Sequence, residues 1–474
     1  MQVQVSLTIE LAASASLTEM EQQIQAAGQQ AMRAALKQAV RQWEDQSLTC
    51  PHCGQKGRRL EGTTRRVIAT LFGRVQVPRR RFRCQGCGRR WCPANILFAT
   101  LQGGTISAPL QEAAMMAGCS WPYHVARSQL KRLSGADISA EEIRLLTNRQ
   151  GQQRAGQQQA EAEHPCSSPV AQAPTAEQGP PPMPGGEEAE HACSPAATDA
   201  PTAEQEQPPM LVGLDGGWVA SREQRGGMEG KVAVVCSKVE DLPMPTHSRT
   251  FSWSERGGPR RPPKQRHRLA QRRYVATFGP SEQLGKLARA SAQSLHPEPK
   301  RPVVVIADGA KWIKTEQGRH FPQATCILDW AHLWREISGA LRAVGRAEQL
   351  SKPEQDYQLS LYRCWLWQGC VDLALQGLRR LRAGLEAEPL SRLNEAITYL
   401  ENQREWIGSY EQWQQQGYPV GSGMIERAVC LVINRRMKKR GMRWKRANGT
   451  AVVALRTDLL NEDWITPQRL RAFP

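Results

Sequence analysis

From Gly151 to Pro209 the chain runs through Gln, Ala, Glu and Pro with almost no large apolar side chains. Such a stretch has too little to bury to offset the entropy of ordering it. A chain of 474 residues interrupted in this way must place its cores on either side of the gap. The stretch also repeats itself at one fixed offset: Glu161-Ala-Glu-His164 returns as Glu188-Ala-Glu-His191, and Pro174-Thr-Ala-Glu-Gln178 as Pro201-Thr-Ala-Glu-Gln205. Two copies indicate a duplication rather than a solenoid. The stretch is acidic, whereas the whole chain sets 63 Lys and Arg against 45 Asp and Glu, for a net charge of +18. The flanking parts are therefore more basic than the total, which points to a polyanionic partner such as nucleic acid.

No apolar run approaches the ~18 residues that a spanning helix needs, so no membrane partner is expected. The first residues, Met1 to Leu17, carry Glu10 and no basic leader, which predicts a cytoplasmic chain. The cysteines number 13, and Cys236, Cys326 and Cys430 stand singly in apolar stretches, as reduced thiols do.

The pattern divides the chain into segments. Residues 1–47 hold one amphipathic helix, Leu17 to Gln46, suited to packing on a neighbour and also open to dimerisation or DNA contact. Residues 48–100 hold two C-x-x-C pairs, Cys50-Pro-His-Cys53 and Cys84-Gln-Gly-Cys87, whose four thiolates suit a structural, tetrahedral Zn²⁺, with His52 and Cys92 as spare donors. Short β-type runs between the pairs carry many arginines, among them Arg79, Arg80 and Arg81, against the single acid Glu61. These are candidate phosphate contacts. Residues 101–150 predict three short helices, the last opening on a Ser139-to-Glu142 capping box, and permit either a helix-turn-helix or a plain helical connector. Residues 151–209 are expected to be a disordered linker.

Beyond it, residues 210–352 read as three strands followed by alternating helix and strand, which is the order of an RNase H-like α/β fold. Residues 353–416 read as a helical insertion, and residues 417–474 return to the same domain. Asp215 closes an apolar strand before two glycines, and Asp308 closes Val303-Val-Val-Ile-Ala in the same way. Glu426 opens a helix after Gly421-Ser-Gly. Singly, these are ordinary turn and cap residues. Together they could hold two Mg²⁺ (or Mn²⁺) ions for in-line phosphoryl transfer, with Asp215, Asp308 and Glu426 as cofactor-binding and catalytic residues. The helix of Glu426 is expected to continue into a basic run holding Arg435, Arg436, Lys438, Lys439, Arg440, Arg443 and Lys445, placing these candidate DNA contacts beside the metal site. A second basic run, Arg256 to Arg273, reads as an exposed loop.

Ile306-Ala-Asp-Gly-Ala-Lys-Trp312, Leu328-Asp-Trp-Ala-His332, Pro419-Val-Gly-Ser-Gly-Met-Ile-Glu426 and Gly441-Met-Arg-Trp444 resemble the DDE transposases of bacterial insertion sequences, more narrowly the ISKra group. The resemblance spans Leu211 to about Trp464, and the cysteine segment more loosely. It implies an RNase H-like catalytic domain with an all-α insertion before the Glu. It also implies cleavage and strand transfer at terminal inverted repeats of double-stranded DNA, a homodimer or higher multimer on that DNA, and a bacterial, nucleoid-associated location. Asp329 and His332 match a D-x-x-H element of mutator-like relatives, with His332 assisting catalysis and Asp329 accessory. Two rivals remain: a transposase-derived DNA-binding regulator without activity, and a nuclease that cuts without joining.

Overall fold

The computed structural model describes residues 2–46, 49–99, 101, 105–163, 208–242, 266–295 and 301–464. It is a mixed α/β structure with one small and one large sheet.

The first helix, α1 (Leu17–Gln46), lies against an antiparallel sheet of β1 (Arg58–Thr70), β2 (Gly73–Cys84) and the short β3 (Arg90–Trp91). Alternation along β2 buries Val75 and Val77, which meet Val40 of α1, Ile68 of β1 and Phe98 of α2 (Ala94–Ala99). The C-terminal part of α1 thus packs on the sheet through Val40 and Leu36, while Ile24 and Met32 nearer its start stay exposed. Glu44 at the end of α1 is fully buried, and it accepts hydrogen bonds from the backbone N–H (3.1 Å) and Nε (2.7 Å) of Arg80. A buried carboxylate of this kind is tolerable only because a charged donor meets it.

Three helices follow: α3 (Ala108–Ser120), α4 (Tyr123–Ser134) and α5 (Ala140–Glu163). The capping box is formed, with the Ser139 N–H donating to Glu142 (2.9 Å) and the Glu142 N–H to Ser139 Oγ (3.0 Å). α5 runs past the expected end of this segment. Residues 151–163 are its last turns, docked on α15 (Arg446–Leu460), and Gly151 lies so near Ala451 that a Cβ would stand 2.3 Å from the Ala451 carbonyl oxygen. Composition misleads here because polar groups do the docking. Arg154 and Gln158 both bond the buried Asp458, at 2.6 and 2.8 Å. The rest of the expected linker, residues 164–207, lies outside the described residues, as do residues 256–265 of the second basic run.

The larger sheet holds β4 (Met210–Val219), β5 (Met228–Leu242), β6 (Arg266–Thr277), β7 (Val303–Ala307) and β8 (Thr325–Leu328) in the order β6-β5-β4-β7-β8. β4, β7 and β8 run parallel, while β5 is antiparallel to both its neighbours. Both faces are covered, so the central strands bury apolar side chains on each face. Ala233 and Val235 of β5 join the core under α6 (Ser281–Leu295) and α8 (Trp330–Ala347), while Val232 and Val234 join the core under α15. α7 (Lys311–His320) connects β7 to β8.

The expected insertion is all helical, with α9 (Lys352–Trp367), α10 (Val371–Arg380), α11 (Ala387–Gln403) and α12 (Tyr410–Gln415). It is pinned to the start of α8 by aromatic contacts, Trp330 lying 4.8 Å from Trp367 and 4.9 Å from Tyr410 between ring centroids. The chain then enters α13 (Gly423–Val429), a π-helical segment (Cys430–Asn434) and α14 (Arg435–Met437), which follow one another without a break.

Candidate active site

Parallel pairing sets three carboxylates side by side. The last β4–β7 pair is Gly213 with Ile306, and the last β7–β8 pair is Ala307 with Leu328. Asp215, Asp308 and Asp329 therefore all follow the points where parallel pairing stops, Asp308 and Asp329 just beyond the carboxyl ends of β7 and β8, on the side where open α/β sheets bind their ligands. Asp215 is not at the end of its own strand, as expected from sequence. β4 continues to Val219, and Asp215 is paired with Val232 of β5.

Glu426 reaches this edge because the strand beneath its helix is stripped of side chains. A Cβ on Gly213 would lie 2.8 Å from Ile425 Cβ, and one on Gly217 would lie 3.0 Å from Val429 and Ile433. The glycines that make the close approach are those of β4. Gly423, in the helix, has open space around it.

Each acid is held. Asp308 accepts from the Ala310 N–H at 3.0 Å, across Gly309, whose φ of +81° fits the tight turn. Gln403 of the insertion donates to the Gly309 carbonyl at 2.9 Å, so the insertion props up the Asp308 turn. Asp215 is pushed up to about 6, first by burial and then by the charges of Asp308 and Glu426, while the Gly216 amide and His332 oppose the shift. The charges of Asp308 and Glu426 are thus both felt at Asp215.

Asp329 is fully buried and saturated with donors. Its Oδ1 accepts from the N–H groups of Ala331 (3.0 Å) and Ser422 (3.3 Å). Its Oδ2 accepts from the Ser422 hydroxyl (2.8 Å) and pairs with His332 Nδ1. The Ser422 Oγ also lies 3.0 Å from Glu426 Oε1. Hydrogen bonding to Asp329 draws the His332 imidazole up from its ordinary range and leaves Nε2 as its available nitrogen.

Asp329, His332 and Glu426 have ligand atoms within 4.8 Å of one another, a grouping that could hold a metal ion and that includes neither Asp215 nor Asp308. Asp329 is better described as the anchor of such a site than as a ligand, since four donors already occupy its lone pairs. The remaining carboxylates, those of Asp215, Asp308 and Glu426, are hard oxygen donors of the kind that Mg²⁺ or Mn²⁺ takes. Two features favour a cation there. Asp215 pays for its ionisation in a buried, negative setting, and the single Ser422 hydrogen cannot serve both carboxylates it touches.

Cys50, Cys53, Cys84 and Cys87 form a cluster compatible with a zinc module, their sulfurs all within 4.8 Å of one another. Both pairs make the same turn, the Gly54 N–H bonding the Cys50 carbonyl (2.9 Å) and the Gly88 N–H the Cys84 carbonyl (3.1 Å), with positive φ at both glycines. The Cys84 thiol is drawn down to about 6, first by the Cys87 amide and then by that of Gly86, while burial and the neighbouring sulfurs push the Cys53 thiol up to about 12.

The expected DNA contacts divide. Arg436 is corrected: it is 1 % exposed, bonds the Gly118 carbonyl through Nε (2.9 Å), and lies 4.9 Å from both the Tyr123 and Trp444 rings. Arg80 is likewise engaged with Glu44 and Asp45. Arg79 bonds Asn95 (2.8 Å), and Arg81 is exposed with Glu61 3.9 Å away. Arg435, Lys438, Lys439, Arg440, Arg443 and Lys445 are exposed. The basic run does not continue the helix as expected. It leaves α14 after Met437, turns at Gly441, and Trp444 pairs with Ser221 beside β4. Ser422 and Trp218 carried no signal in the sequence beyond their glycine neighbours, and Gln403 none at all, because their partners are remote along the chain.

Compared with known protein families and with curated proteins, the chain matches none. No helix among the described residues is long and apolar enough to cross a membrane.

Proposed function

We propose that the chain is a DDE-type transposase that cleaves and joins DNA at the ends of a mobile element. The observation that carries this reading is the placement of Asp215, Asp308 and Glu426 at one sheet edge, with Asp215 raised first by burial and then by the charges of the other two acids. The order β6-β5-β4-β7-β8, with β5 antiparallel and an all-helical insertion before the Glu, supports an RNase H-like catalytic domain.

In this reading Asp215, Asp308 and Glu426 would hold two Mg²⁺ ions, which when bound supply activation of the attacking oxygen and stabilisation of the leaving one. Asp329 fixes the ring of His332, whose Nε2 exchanges a proton with an oxygen at the scissile phosphate. Lys438, Lys439, Arg440, Arg443 and Lys445 grip the backbone of duplex DNA through salt-sensitive contacts, and Arg79 and Arg81 present a second grip from the cysteine module. Zn²⁺ held by the four cysteines would stiffen that module. A multimer on paired inverted repeats is the working form.

The test uses the full chain, Mg²⁺ and a supercoiled plasmid bearing the DNA that flanks the gene. Nicking at the element ends, lost in Asp308→Ala, and joined products support the proposal. Nicking without joining favours a nuclease, and equal cleavage by wild type and Asp308→Ala sinks the site.

A further inference from the structure

We infer that the cleft between Trp218 and Arg443 is a binding site for an unpaired nucleobase of the DNA strand, an inference that rests on the nucleic-acid function proposed above. The cleft measures about 340 Å³ and is lined by Trp218, Ser221, Gln224, Gly226, Gly227 and Arg443, among others. That is near the lower end of the roughly 300–1,000 Å³ common for small-ligand pockets. No acidic residue lines it.

Trp218 is 59 % exposed, the most open tryptophan among the described residues. A large ring left in water serves no core, and the hairpin around it keeps it open. Gly226 and Gly227 both have positive φ; the first has empty space at its Cβ position, and at the second a Cβ would stand 3.8 Å from the Trp218 ring. Arg443 is fixed opposite by a hydrogen bond from Nε to the Ser221 carbonyl (3.2 Å), which leaves its terminal nitrogens without a partner among the described residues. The wall carrying Arg443 is held in turn, since the Trp444 N–H bonds the Ala220 carbonyl (2.9 Å) and the Arg222 N–H the Trp444 carbonyl (2.8 Å). The Gln224 amide nitrogen bonds the Gly227 carbonyl, leaving its oxygen as an acceptor at the cleft.

An aromatic face, a guanidinium and a side-chain acceptor around an open cleft of this size are the elements that bind unstacked bases: the ring stacks, the cation adds to it, and the acceptor meets a base edge. Trp218 stands three residues beyond Asp215 on β4, about 10 Å along the strand. The two side chains leave opposite faces of that strand. A base held on Trp218 is therefore drawn out of the duplex and away from the phosphate beside Asp215, with its sugar-phosphate chain passing over the strand. The Trp218 site thus favours DNA that is already distorted at the cleavage point.

The probes are three DNAs of the same sequence: a paired duplex, the same duplex with one unpaired 2-aminopurine, and the 2-aminopurine strand alone. Binding to the full-length chain is measured with Ca²⁺ to hold back cleavage. The expected result is that the unpaired duplex binds roughly tenfold more tightly than the paired one and that its 2-aminopurine fluorescence is quenched. Trp218→Ala removes both effects, Trp218→Phe keeps most of the preference, and Arg443→Ala lowers it. Trp218 is exposed, so its loss leaves the cores intact, and an unchanged circular dichroism spectrum checks this. Equal binding of paired and unpaired duplexes by wild type, or a preference that survives Trp218→Ala, overturns the inference while leaving the proposed activity standing. Failure to bind any of the three DNAs overturns both together.

Discussion

Asp329 accepts both the backbone N–H and the hydroxyl of Ser422, at 3.3 and 2.8 Å, and so ties the end of β8 to the first turn of the helix that carries Glu426. The same hydroxyl touches Glu426 at 3.0 Å, so Ser422 bridges a buried carboxylate and an exposed one.

Ser422→Ala should therefore weaken Mn²⁺ binding by roughly tenfold, the ordinary cost of losing an outer-shell partner. Isothermal titration with Mn²⁺ reads this directly, and Ser422→Thr, which keeps the hydroxyl, should recover most of the affinity. Unchanged affinity in the alanine variant would show that Glu426 is positioned by its helix alone.

Asp215 supplies a pH dependence. Its folded value of about 6 lies above the ordinary 3.8, so the folded chain keeps this proton to higher pH than the unfolded one. The ionisation penalty is absent below about 3.8, grows as pH rises toward 6 and is complete above it. In chelator, Asp215→Asn should melt a few degrees higher than wild type above pH 6, roughly 2–4 °C, and the gap should close toward pH 4. Saturating Mg²⁺ should raise the wild type and leave the variant behind. A variant that melts lower than wild type at every pH would contradict the buried, repelled setting described for Asp215.

Arg436 and Lys439 should separate structure from DNA contact. Truncating the buried Arg436 removes the stack between Tyr123 and Trp444 and strands the Gly118 carbonyl, so Arg436→Ala should lose about 3 kcal/mol or more and expose the α3–α4 region to protease. Lys439→Ala should leave melting unchanged and lower the slope of log affinity against log salt by about one. The reverse pattern would return Arg436 to the DNA surface.

The cysteine cluster predicts stoichiometric zinc in the purified chain, released by a strong chelator with loss of β-structure from the β1–β2 hairpin. Cys84→Ser should lower zinc content and increase proteolysis between residues 49 and 99, while leaving Mn²⁺ titration of the carboxylate site unaltered. A metal-free protein with an intact, protease-resistant hairpin would reduce the cluster to four thiols.

The local features were readable because their causes are local. Two C-x-x-C-Gly turns close on themselves through adjacent backbone groups, the Ser139 capping box spans one helical turn, and the run Val303-Val-Val-Ile-Ala is apolar because the strand is covered on both faces. Two failures have one origin. The linker was expected to begin at Gly151 because Gln and Arg offer nothing to a hydrophobic core, yet Arg154 and Gln158 dock through Asp458, some 300 residues away. Arg436 looked like its charged neighbours and is buried because two aromatic rings and a carbonyl from elsewhere in the chain enclose it.

The sequence by itself determined which residue types stand at strand ends and helix starts: Asp215 before its glycines, Asp308 after its apolar run, Glu426 after Gly421-Ser-Gly, and four cysteines in two pairs. Tertiary structure alone decided which of them meet, because distance in a folded chain is set by strand register and by the helix that Gly213 and Gly217 admit onto β4. It also decided that Asp329 is saturated and buried, that Ser422 spans two carboxylates, and that Trp218 and Arg443 face one cleft. Those relations join residues far apart in sequence, and no local pattern encodes them.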